Sequence, residues 1–320
     1  MRIVYSRHYN IGFFGLERLH PFDSRKYGRA WKRLQQAVGP CLRKLHVRPS
    51  RQVRRDELLA VHSADYLDRL RNSKYVAEAL ELPPVRYLPW RVVDHCVLRP
   101  MRWATMGTII AAEEAIQCGF AVNLAGGYHH AKADGGEGFC IYSDIALAVH
   151  ALREQHAIQA DDRVVYVDLD AHQGNGVCHI LRDDDRVFIF DMYNSTIYPC
   201  FDTEARSRID CDVPLTGACT ENEYLHELKY RLPGFLDSVA RSRPIGLAIY
   251  NAGTDVFEGD QLGGLRLSDQ GILERDLYTI AELRQRGIPT TMLLSGGYSA
   301  VSYRLVADSV QQLIDCYSGR

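Results

Sequence analysis

The sequence predicts an α/β protein: a single domain over residues 1–320, built on a mainly parallel β-sheet with helices on both faces. Three observations predict it. Short β-branched and aromatic runs, such as Val164-Val165-Tyr166-Val167 and Val187-Phe188-Ile189-Phe190, have the composition of strands buried on both faces. Segments with apolar residues at helical spacing alternate with those runs, which is the pattern of a parallel sheet with helical crossovers. No Pro-, Gly- or Ser-rich linker divides the chain.

In chain order, Arg2-Ile3-Val4-Tyr5 is the first expected strand. His20-Pro21-Phe22-Asp23 then leads into a helix that carries Trp31 and Leu34 and ends near Gly39-Pro40. Arg48, Arg51, Arg54 and Arg55 form a small basic cluster that Asp56 and Glu57 follow at once, so it reads as a solvated face and not a binding patch. Leu59, Tyr66, Leu67 and Leu70 place a helix over 58–70, and Leu82-Pro83-Pro84 and Leu88-Pro89 break the chain into loop. A helix from Thr105 to Gln117 precedes the strand Phe120–Leu124, which empties into Ala125-Gly126-Gly127-Tyr128-His129-His130. A helix from Ile145 to Arg153 precedes Val164-Val165-Tyr166-Val167-Asp168-Leu169-Asp170-Ala171-His172. Three more strands end in Asp191-Met192-Tyr193-Asn194, Asn251-Ala252-Gly253-Thr254-Asp255 and Ser295-Gly296-Gly297-Tyr298. Five strands thus finish in polar or glycine-rich turns, and their functional groups would collect along one edge of the sheet, where open α/β folds bind ligands.

Composition narrows the function. The formal net charge of -2 gives no reason to expect nucleic-acid or membrane-surface binding. The most apolar long stretch, from Met106 to Gly127, is interrupted by Glu113, Glu114 and Asn123, so no membrane span is expected. Nine cysteines without a C-x-x-C pair read as buried thiols of a reducing compartment, and the expected location is the cytoplasm, or the nucleus in a eukaryote.

Asp170 and His172 are two residues apart, so both side chains can leave one side of an extended chain. A carboxylate and an imidazole aimed at one point suggest a divalent metal, zinc first, although a strand ending in a polar loop looks much the same. Asp255 ends its strand in the same manner, and an Asp-His-Asp set with one open position has the form of a catalytic zinc site. His129 and His130 follow a glycine turn and supply a candidate general base with an electrostatic partner, and Asp168 is placed to orient one of them. Tyr298 is a candidate oxyanion donor. Phe139, beside Gly138, and Tyr198 are candidate channel walls, or plain core aromatics.

Taken together these segments resemble the histone deacetylases, most of all their class IV branch. The matching stretches are Leu19-His20-Pro21-Phe22-Asp23, Val97-Leu98-Arg99-Pro100, Gly126–His130, Gly138-Phe139-Cys140, Asp168–Gly176, Tyr193-Asn194 with Ile197-Tyr198-Pro199, Tyr250–Asp255, Gly259-Asp260 with Leu262–Leu265, and Ser295–Tyr298. The resemblance implies the arginase/deacetylase fold, one zinc ion (Zn2+) on Asp170, His172 and Asp255, and hydrolysis of an acyl-lysine amide in a protein or peptide. It implies that His129 and His130 are the paired catalytic histidines, that Tyr298 polarises the carbonyl, and that Gly138, Phe139 and Tyr198 wall the acyl-lysine tunnel. It also implies a structural monovalent cation (K+) near Asp168, Asp170 and His172, with Asp191 at a matching position. Asn175 stands where most classes have the aspartate behind the second histidine, and class IV shares the asparagine. Class IV relatives are associated with long-chain fatty-acyl lysine. Residues 89–99 hold no clear match to the rim aspartate by which other classes grip the peptide backbone. Deacylation of a small amine such as an acetylpolyamine, or plain acyl-lysine binding, are the competing readings. A binuclear manganese site of arginase type lacks its further carboxylate just past His172.

Overall fold

The computed structural model describes residues 1–12, 23, 25–241 and 243–318. The expected His20-Pro21-Phe22 entry to the first helix lies outside these residues. The described strands are β1 (Arg2–Val4), β2 (His46–Val47), β3 (Phe120–Asn123), β4 (Arg163–Asp168), β5 (Val187–Asn194), β6 (Cys211–Leu215), β7 (Ile245–Asn251) and β8 (Thr290–Leu293). They form one sheet in the order β2-β1-β3-β8-β7-β4-β5-β6, and every described pair is parallel. The α/β class and the parallel sheet are as the sequence predicts. β4 lies inside the sheet, and Val164 to Asp168 are all buried, so both of its faces are covered.

Strand order explains why the site lies where it does. After β3 the chain skips two places to β4, runs outward through β5 and β6, then returns through β7 and β8 to fill the gap. The carboxyl ends of β3, β8, β7 and β4 are therefore neighbours, although the segments that follow them are far apart in sequence. The β4 register sets Asp168 beside Asp191 on one flank and Asn251 on the other.

Helices follow the expected rhythm with specific differences. The helix Arg99–Cys118 is longer than predicted because Pro100 sits in its first turn, where a missing N–H costs nothing, and Gly119 closes it at φ 83°. The predicted helix over 58–70 is instead two short ones, Arg55–Leu58 and Ala64–Arg69. Ser63 starts the second by accepting from Tyr66 N, a cap signal that outweighs the apolar spacing across it. β2 and β6 are edge strands that the sequence reading did not place. The expectation of buried thiols holds only for Cys140 and Cys178. The cysteines are all free, but Cys41, Cys200 and Cys316 are exposed. No helix among the described residues is long and apolar enough to cross a membrane.

Candidate metal centre and active site

Each candidate side chain is delivered by a strand end. Past β3, Gly126 and Gly127 both take positive φ (77° and 85°), a conformation glycine adopts without strain. A Cβ on Gly126 would meet Asp144 Oδ2 at 2.4 Å, and that carboxylate in turn accepts from Gly127 N (2.9 Å) and Tyr128 N (2.8 Å). Asp144, starting the helix Asp144–Glu154, thus fixes the turn that presents His129 and His130. Their rings stand 4.0 Å apart, both almost fully buried.

The two histidines have different backing. His129 Nδ1 donates to Asp168 Oδ2 at 2.8 Å, and Asp168 also accepts from Tyr166 Oη (2.6 Å), Asp170 N (3.1 Å) and Asn251 Nδ2 (3.0 Å). His130 Nδ1 faces Asn175 Oδ1 at 2.7 Å. Burial disfavours charge on both rings. For His129 the Asp168 and Asp170 carboxylates overcome burial and raise the pKa. For His130, burial and the positive charges of His129 and His172 act together and hold the pKa well below its ordinary value. One imidazole is biased towards the cation and its neighbour towards the neutral base.

Asp170, His172 and Asp255 bring one ligand atom each to within 4.8 Å of one another, all buried. His172 Nδ1 lies 3.2 Å from Asp170 Oδ1 and 3.0 Å from Asp255 Oδ2. The donor set suits a divalent ion of borderline softness such as zinc. The surrounding backbone is shaped to let these carboxylates in: a Cβ on Gly296 would sit 2.3 Å from Asp255 Oδ2 and 2.6 Å from Asp170 Oδ2. In the metal-free site burial resists a charged His172, but its bonds to Asp170 and Asp255 prevail and raise the pKa to about 10. Burial pushes the Asp255 carboxyl up, and the neighbouring Asp170 charge pushes the same way. Asp170 resists its own burial because His129 and His172 face it, and it stays well below the usual carboxylate range.

Tyr298 packs edge-on to His172 (centroids 5.9 Å) and against Phe139 (5.7 Å). Burial raises its phenol pKa well above the ordinary value, reinforced by Asp255 and Asp170, so the group keeps the proton an oxyanion donor needs. Tyr198 stands edge-on to His130 at 5.0 Å and remains 43% exposed. Phe139 sits at φ 66°, and the preceding Gly138 lies against the His130 ring. The structure therefore brings Asp170, His172 and Asp255 together beside His129, His130 and Tyr298, with Asp168 and Asn175 behind the two histidines.

Several residues the sequence reading missed hold this arrangement. Asp260 Oδ2 accepts from Tyr298 N (2.6 Å) and Ser299 N (3.0 Å), fixing the loop that carries the phenol. Lys26, fully buried, donates to Ser295 O (2.6 Å) and Gly296 O (2.8 Å). Burial lowers its pKa to about 8 against the pull of Asp255 and Asp170. Arg275, also fully buried, donates to Leu169 O (3.0 Å) and Gly253 O (2.6 Å), tying together the two loops that carry Asp170 and Asp255. Asp94, the acidic residue nearest the expected rim position, is committed to Arg102 at 2.8 Å.

Comparison with known proteins agrees with this geometry. Residues 20–314 match the histone deacetylase domain family. Histone deacetylase 2 of Arabidopsis thaliana is 44% identical over 311 residues, which are 97% of this chain and 78% of that protein. An uncharacterized protein of Picosynechococcus sp. is 34% identical over 219 residues, 68% of each chain. Histone deacetylase B of Dictyostelium discoideum is 26% identical over 278 residues, 80% of this chain and 61% of its own. The crystal structure of the HDA15 HD domain shares the fold, with a TM-score of 0.76 over 100% of this chain and 91% of that one at 20% identity. A domain match over nearly the whole length, together with a relative of that identity, places the chain: it belongs to the histone deacetylase family.

Proposed function

We propose that this protein is a zinc-dependent hydrolase that removes acyl groups from lysine side-chain amides of proteins or peptides, its whole length acting as one catalytic domain. The observation that carries the reading is the convergence of Asp170, His172 and Asp255 beside two histidines biased to opposite charge states. Zinc held by these three residues would supply Lewis acidity towards the scissile carbonyl and the attacking water. His130, donating to Asn175 through Nδ1, keeps a free lone pair on Nε2 with which to take the proton of that water. His129, tethered by Asp168, offers a positive charge to the negative transition state. The Tyr298 phenol donates to the carbonyl oxygen as charge builds there. Gly138, Phe139 and Tyr198 flank the lysine stem.

The cavity lined by His129, His130 and Tyr298 is also lined by the apolar side chains of Ile11, Leu80, Leu82, Val97 and Met101. That lining supports hydrolysis of long-chain fatty acyl groups in preference to acetyl, and the asparagine at 175 supports placement in class IV. A monovalent cation near Asp168, Asp170 and His172 is supported by Asp191, whose buried Oδ1 has no hydrogen-bond partner among the described residues. The experiment is a comparison of kcat/KM for acetyl- and myristoyl-lysine forms of one peptide with the zinc-loaded protein. Preference for the long chain supports the reading. A large acetyl preference refutes the chain-length part, and no turnover of either refutes the function.

A further inference from the structure

Behind His130 lies a cluster of charged groups that the reaction described above does not use. Asn175 Nδ2 donates to Glu137 Oε1 at 2.6 Å and to Asp202 Oδ2 at 3.1 Å. Lys132 Nζ stands 3.0 Å from Glu137 Oε1 and 3.7 Å from Asp202 Oδ2, and His179 Nε2 lies 2.9 Å from Asp202 Oδ2. Lys132 and His179 hold a pair of carboxylates against a single primary amide. The arrangement settles which way that amide faces, because a carboxylate only accepts: the atom turned to Glu137 and Asp202 is the NH2, and the atom turned to His130 is the carbonyl oxygen.

We infer that Glu137 and Asp202 are positioning residues for His130, holding the Asn175 amide so that its carbonyl, and not its NH2, meets His130 Nδ1. The inference rests on His130 being the proton acceptor. An amide has two orientations half a turn apart, and here they have opposite consequences. With the carbonyl inward, Nδ1 of the neutral ring carries the hydrogen and Nε2 keeps its lone pair. With the NH2 inward, Nδ1 must accept, the hydrogen moves to Nε2, and the ring has no lone pair to offer the water. A carboxylate at position 175 would need no such guidance, since either oxygen accepts from Nδ1. The chain instead has a neutral group at 175 and two carboxylates one hydrogen bond further out, so adding a third carboxylate would set like charges within about 3 Å of one another. A neutral asparagine at 175 therefore serves His130 only while something else fixes its orientation.

The arrangement predicts reciprocal behaviour in the zinc-loaded full-length protein. The double variant Glu137→Gln/Asp202→Asn has side chains that donate as well as accept, so both amide orientations become satisfiable. Its kcat on an acyl-lysine peptide falls about tenfold with KM within about twofold of wild type. Asn175→Asp alone loses at least as much. Adding Asn175→Asp to the double variant restores kcat to within about threefold of wild type, because the new carboxylate accepts from His130 whichever way it turns. In parallel, 15N-resolved histidine spectra show the His130 hydrogen on Nδ1 in the wild type and triple variant, and substantially on Nε2 in the double variant. A double variant with wild-type kcat and an Nδ1 hydrogen overturns the inference. So does a loss that the third substitution fails to restore, which would make Glu137 and Asp202 merely structural. The spectra need no substrate, so they separate this inference from the acyl-lysine reading: a chain inactive on acyl-lysine that still shows the tautomer shift refutes only the latter.

Discussion

Replacing Arg275 by Met tests how the metal-ligand loops are held. The guanidinium is completely buried and donates through one nitrogen to Leu169 O and Gly253 O, which precede Asp170 and Asp255 by one and two residues. Through Nε (2.9 Å) and the other terminal nitrogen (2.8 Å) it pairs with Asp276, itself 2% exposed and accepting from Tyr250 Oη at 2.5 Å. Arg275→Met fills similar space but leaves one buried carboxylate without its cation and two buried carbonyls without a donor. Breaking one half of a buried ion pair costs about 3–5 kcal/mol. In a protein of this size that corresponds to a fall in Tm of about 5–7 °C. Urea unfolding of the metal-free protein measures the loss, and zinc titration of the folded variant should show weaker binding because Asp170 and Asp255 are no longer held to a common anchor. Arg275→Met/Asp276→Leu should be less destabilised than Arg275→Met alone, since it removes the orphaned charge as well. A single variant that loses less than about 1 kcal/mol would refute the reasoning, because a buried charge would then be left unpaired at almost no cost.

Two further predictions concern the chemistry. Tyr298→Phe should lower kcat about 100-fold to 1000-fold with little change in KM, as for an interaction made mainly in the transition state; an equal rise in KM at constant kcat would assign the phenol to substrate binding instead. In the metal-free protein the hydrogen bonds of His172 to Asp170 and Asp255 outweigh burial and raise its pKa to about 10, so at pH 8 the ring is a cation held by these two acidic side chains. The contribution of the raised His172 pKa to stability is fully present below the ordinary histidine value of 6.5 and is lost as pH rises through about 10. A metal needs the neutral ring, so zinc binding at pH 8 should release about one proton from this group, and affinity should weaken as pH falls. Calorimetry in buffers of different ionisation enthalpy counts the protons, and none released would contradict the assigned state.

The site was legible where chemistry sits at a strand end. Asp168, Asp170 and His172 announce themselves by following a buried run within a few residues, and Asp255 repeats the pattern on β7. Gly126 and Gly127 signal the turn that brings His129 and His130 round. Residues that act from a distance gave less notice. Glu137 and Asp202 lie in loops whose spacing carries no period, and only the folded chain shows that both reach Asn175. Lys26 did leave a trace: it falls in line with Ala30, Leu34 and Val38 at four-residue intervals on the buried stripe of its helix, and a lysine in that stripe needs a buried partner. The edge strand β2 is two residues long and half-buried, too short to show alternation, and the split at Ser63 is visible only as a capping residue inside an apolar pattern.

The proposed chemistry needs a single metal ion on Asp170, His172 and Asp255 for hydrolysis of acyl-lysine. Stepwise addition of zinc to the metal-free protein, with release of lysine from an acylated peptide followed at each step, tests it most directly. Activity should rise in proportion to zinc and break at about one equivalent per chain, with Asp255→Ala flat throughout. A break at two equivalents, full activity without metal, or an Asp255→Ala variant that tracks the wild type would contradict it.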